Sequence, residues 1–174
     1  LDDRRFAAAG AAGDAGAAFV AGRVDAAVTW EPWLSKGSEA AGHVLTSTKE
    51  FPGVIADSLS FHADYVKKNP EAVQAFVHAM QEAMEYWHEH TEESNLLMAA
   101  GMGITSEEFV ETLAGLKLMD YEDNLAFFGT ESEPGPLYTT LQNSTDFYYD
   151  LQIIPEKKDI EELVEPRFLM ALEK

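Results

Sequence analysis

Trp30-Glu31-Pro32-Trp33 is the stretch of this chain whose residue types best suit the holding of a small molecule. An indole face packs on an alkyl chain or a cation, its N–H donates to an anion, and a carboxylate between two such rings accepts from an ammonium. Thr29, just before the turn, adds a hydroxyl. The same four residues also serve to turn the chain and bury two large rings, and residue type alone leaves both readings open.

Other groups with chemical potential carry less. His88-Glu89-His90, with Glu85 one turn earlier, offers metal-ligating side chains. The two imidazoles lie about 200° apart on a helix, however, and the spacing that puts two on one face is absent. His43, His62 and His78 are isolated, with no Ser or carboxylate at a spacing that marks a catalytic triad. Gly101-Met102-Gly103 lacks the Lys-Ser or the third Gly of a phosphate loop. No catalytic residue, metal or cofactor is expected.

Composition sets outer bounds. Twelve Lys and Arg against 31 Asp and Glu give a formal charge of -19, which repels phosphate backbones and anionic membranes and excludes nucleic acid as a partner. The absence of cysteine removes disulfides, thiolate zinc sites and thiol catalysis. No apolar run is long enough to span a bilayer, and Leu1-Asp2-Asp3-Arg4-Arg5 lacks the layout of a signal peptide. At 174 residues the chain is long enough for a hydrophobic core.

The turn must be positioned by the elements around it. Asp14 reads as the N-cap of a short helix through Ala15–Ala21 that Gly22 ends. Val24–Thr29, His43–Thr48 and Val54–Phe61 read as strands, so the turn would sit at the C-terminal end of a buried parallel strand, where α/β sheets bind ligands. Asn69 and Pro70 open a helix to about His88, with Val73, Phe76, Val77, Met80, Met84 and Trp87 as its apolar stripe. Further helices are expected near Ser94–Ala100, after the capping box Thr105-Ser106-Glu107-Glu108, over Leu137–Leu151, and in one or two pieces between Asp159 and Leu172, broken at Pro166. The expected class is α/β, with strands mainly in the first half and helices in the second.

The run from Ala17 to Trp33 resembles a signature of the nitrate/sulfonate/taurine-type solute-binding proteins of ABC uptake systems. Val54–Leu59, Asn69–Phe76, Asp123–Phe128 and Glu165–Leu169 resemble later blocks of that family, in the same order. The resemblance implies part of a type II periplasmic-binding-protein fold, two α/β lobes with a small polar solute between them, delivered to an ABC permease in the membrane. On that basis residues 1–55 are the remainder of the second lobe, and 56–174 are the crossover and helical C-terminal part of the first. The ligand-binding residues it implies are Thr29, Trp30, Glu31 and Trp33, with Asp57 and Ser58 on the crossover, and the expected location is periplasmic or extracellular. Members are longer, and a chain beginning inside the second lobe leaves sheet edges unpaired, so a homodimer is expected as well. A self-associating structural or regulatory module without a ligand cleft is the alternative function. Enzymes related to thiamine-pyrimidine synthesis share the fold but use cysteine, which this chain lacks.

Overall fold

The computed structural model describes residues 9–130 and 132–172. Among the described residues ten α-helices follow in order: α1 (Ala12–Val20), α2 (Trp33–Glu39), α3 (Ala63–Lys68), α4 (Pro70–Glu89), α5 (Thr91–Met102), α6 (Ser106–Leu113), α7 (Tyr121–Phe128), α8 (Pro136–Asp150), α9 (Ile160–Leu163) and α10 (Arg167–Met170). A 3-10 turn occupies Thr48–Glu50. The chain divides into two compact units. One combines the described part of Leu1–Glu50 with Met98–Lys117; the other combines Phe51–Leu97 with the described part of Leu118–Lys174.

The helical half of the expected α/β class is present, but no strand forms among the described residues. Residues 24–29, 43–48 and 54–61, expected as strands, are irregular except for Thr48, which opens the 3-10 turn, and make no backbone ladder with another segment. The reason is physical: β-branched residues favour an extended chain, but a strand exists only when a second segment satisfies its N–H and C=O groups. None of the described residues supplies that partner. The apolar side chains meant for a sheet are exposed instead, Val28 at 91%, Leu45 at 79% and Ile55 at 70%.

In the first unit, α1 and α2 form a hairpin that packs through small residues. A Cβ added to Gly37 or Gly42 would lie 3.3 or 2.8 Å from the Phe19 ring, so the two glycines make the slot that the phenyl enters. Asp14 stands at the third helical position and accepts from Ala11 N at 3.1 Å, so α1 begins earlier than an Asp14 N-cap would give. On α6 the capping box is complete: Glu108 N donates to Thr105 Oγ1 at 3.1 Å and Thr105 N to Glu108 Oε2 at 2.9 Å.

The second unit is a helical cluster in which α10 packs on α4 and α7, and α8 on α7 and α9. Its core is Val73, Leu137, Ile160, Phe168 and Leu172, all buried. Burying a side chain of this size stabilises by roughly 1.5–3 kcal/mol. Polar bonds fix the register: Gln74 Nε2 donates to Phe168 O at 3.0 Å, Tyr121 Oη to Leu172 O at 3.2 Å and Thr140 Oγ1 to Gly53 O at 3.0 Å. Trp87 Nε1 donates to Asn95 Oδ1 at 2.8 Å and joins α4 to α5. The apolar stripe of α4 is narrower than its sequence suggests. Val73 is buried, but Phe76 and Met80 lie at its edge, exposed, with Phe76 meeting the Phe61 ring edge-on at 5.5 Å. Asn69 does not cap α4 with its side chain; its Nδ2 donates back to Tyr65 O, closing α3.

Candidate functional site

Three local interactions hold the Trp-Glu-Pro-Trp turn in the first unit. Thr29 Oγ1 donates to Ala12 O at 2.8 Å, tying the segment before the turn to the start of α1. Glu31 Oε2 accepts from Ser35 N at 3.1 Å, satisfying a donor in the first turn of α2 that the helix itself leaves unpaired. Trp33, the first residue of α2, lies against the glycine face of α1. A Cβ on Gly16 would stand 2.4 Å from Trp33 Cβ, and one on Gly13 would stand 3.3 Å from Trp33 Nε1. At position 16 only glycine permits this approach, and at 13 a Cβ would be tight. The Glu31–Pro32 peptide bond is cis.

The two indoles therefore sit in different surroundings. Trp33 is half-buried against α1, and Lys36 Nζ lies 5.0 Å from its ring centroid, so the chain's own ammonium takes a cation position on that ring. Trp30 is 65% exposed. Largely hydrated indole surface on an anchored turn can stack on an apolar or cationic group and donate one N–H, at little ordering cost to the protein. Glu31, half-buried beside it, has one carboxylate oxygen bound to Ser35 N and can still accept through the other.

Thr29, Trp30, Glu31 and Trp33 thus come together on one turn, with Thr29 and Trp33 directed into the hairpin. Asp57 and Ser58 belong to the second unit, on an exposed irregular segment. The residues that sequence reasoning missed are Gly13, Gly16 and Lys36. The signal was available in the two glycines three apart on a helix, a spacing that clears one face for a large ring, and in a lysine three residues after a tryptophan.

Among the described residues no group of three His, Asp or Glu side chains is arranged to hold a metal ion. No helix there is long and apolar enough to cross a membrane. His88 and His90 end α4, and the His90 ring packs on Tyr86 at 4.3 Å.

Residues 11–101 match the sequence profile of the NMT1-like family, a stretch that runs from the start of α1 to the end of α5 and includes the turn. No curated protein and no solved structure matches the chain.

Proposed function

The chain belongs to the NMT1-like family, and from that premise we propose that it binds a small polar solute for ABC-type uptake, without catalysis, outside the cytoplasmic membrane. The observation that carries this reading is the anchored turn with its hydrated indole. Trp30 is the contact residue, Glu31 receives an N–H or ammonium of the solute, and Thr29 and Trp33 set the turn's position. Sulfonates, taurine-like zwitterions, nitrate and pyrimidines are the solute classes to which these groups apply. Asp57 and Ser58 are secondary contacts, an ABC permease is the receiving partner, and residues 1–55 and 56–174 are parts of the two lobes.

A thermal-shift panel of taurine, alkanesulfonates, nitrate, bicarbonate, polyamines and thiamine-related pyrimidines tests the reading. A ligand at 100 times its dissociation constant stabilises by about 2.7 kcal/mol, which moves the midpoint by several degrees. Trp30→Ala should remove the shift while leaving the unliganded melting temperature nearly unchanged, because the ring is mostly in water. An unaltered ligand response in that variant removes Trp30 from the site.

The exposed segments 24–29, 43–48 and 54–61 favour a second reading, a module that associates with another copy through strand pairing. Sedimentation velocity across a concentration series separates the two. Dimers with no response to any solute support association; a monomer with a ligand shift supports the binding module.

A further inference from the structure

In the second unit a half-open surface pocket of about 330 Å³ lies between the start of α8, α9 and α10, with room for a small organic molecule. Val164 and Met170 line its apolar side, and Tyr138, Glu161, Glu165 and Arg167 its polar side. Arg167, more than half exposed, has two neighbours. Its Nε lies 3.3 Å from Glu165 Oε2, and its guanidinium lies 4.6 Å from the ring of Phe168, which is buried in the core. Among the described residues its terminal Nη groups meet no acceptor, and the half-buried Tyr138 hydroxyl has no hydrogen-bond partner. Two donors with bonds to give line the same pocket, and a guanidinium fork matches a carboxylate in bidentate fashion.

The charge around the cavity narrows the ligand further. A net charge of -19 repels a simple anion, and Glu161 and Glu165 beside the fork repel it again at short range. A zwitterion escapes both penalties, since its carboxylate faces Arg167 and Tyr138 while its ammonium faces the two glutamates. We propose that this cavity is a second ligand site, separate from the Trp30 turn, that takes a small zwitterionic amino acid.

Titration of the ¹⁵N-labelled full chain with β-alanine, followed by amide chemical shifts, tests the assignment. The expected perturbations fall on residues 130, 138 and 161–170 and persist in Trp30→Ala. Arg167→Gln should raise the apparent Kd by at least about ten-fold and Tyr138→Phe by about three-fold, the effects of losing a charged and a neutral hydrogen bond. Propionate and propylamine, each carrying one half of the charge pattern, should bind at least about ten-fold more weakly than β-alanine. Equal affinity for propionate overturns the zwitterion assignment. Affinity for β-alanine unchanged in both variants, or shifts confined to residues 29–35, overturns the site. If Arg167→Gln does not fold, Tyr138→Phe, which removes one oxygen, decides alone: an unchanged Kd refutes the site.

Discussion

Gly16→Ala is a one-carbon test of the way the turn is anchored. The added Cβ would lie 2.4 Å from Trp33 Cβ and 2.7 Å from both Thr29 Oγ1 and Trp33 Cγ, where carbon contacts normally rest near 3.5–4.0 Å. The obstacle is the stem of the indole and the hydroxyl bound to Ala12 O, so no flexible tip can swing aside. Separating the helices by over an ångström opens the hairpin and weakens that bond. Overpacking of this kind costs about 1–3 kcal/mol, against which alanine's better helix propensity returns about 1 kcal/mol. The net loss is up to about 2 kcal/mol, a fall in melting temperature of up to roughly 6 °C for a chain of this size. Gly101→Ala is the internal control. It lies inside α5 with nothing within 4 Å of the new Cβ, so only the propensity gain remains and the midpoint should rise by about 2 °C. The assay is thermal unfolding followed by circular dichroism, with tryptophan emission reporting on Trp33. Stabilisation of both variants would refute the close packing of Trp33 on α1 and the positioning role built on it.

Other expectations are as direct. Thr105→Ala removes the acceptor for Glu108 N and should lower stability by about 1 kcal/mol in a denaturant titration, with Thr105→Ser restoring most of it. Trp87→Phe keeps the ring but strands the buried Asn95 oxygen, for a loss of about 1–3 kcal/mol that the double variant with Asn95→Leu should partly recover. The Lys157 ammonium, by its hydrogen bond, holds the Asp146 carboxyl below its ordinary value. A depressed carboxylate contributes above its unfolded pKa and loses that contribution as pH falls through the folded one. The stability gap between wild type and Asp146→Asn should therefore be present near neutrality and close as the pH falls below the ordinary carboxylate range; a gap that persists in strong acid has another origin.

What the sequence disclosed depended on the range of the interaction. The helices at Pro70, Thr105 and Pro136 and the break at Pro166 are written in caps and prolines a few residues apart, and each formed near its expected place. Strands are written half in one segment and half in another, so the apolar patterns at 24–29, 43–48 and 54–61 identified extended chain but not whether a partner lies beside it. Asn69 illustrates the same limit at short range. Its type suits a cap, yet two helices meet there and the side chain served the earlier one. At the site, Trp30 and Glu31 were visible as chemistry, whereas the division of labour between the two indoles depends on Gly13, Gly16 and Lys36, whose roles arise only when α1 and α2 pack.

The bare apolar segments also bear on how this protein survives in solution. Val28, Leu45 and Val54-Ile55 mark three separate exposed apolar segments of the kind that seeds intermolecular cross-β stacking. What keeps one molecule's segments from meeting another's is long-range repulsion from 19 excess negative charges. That repulsion reaches about 30 Å in 0.01 M salt and about 3 Å in 1 M salt. The acidic surface thus acts as a colloidal barrier whose height is set by the medium, and concentrated electrolyte should favour association of these segments without altering an intramolecular contact.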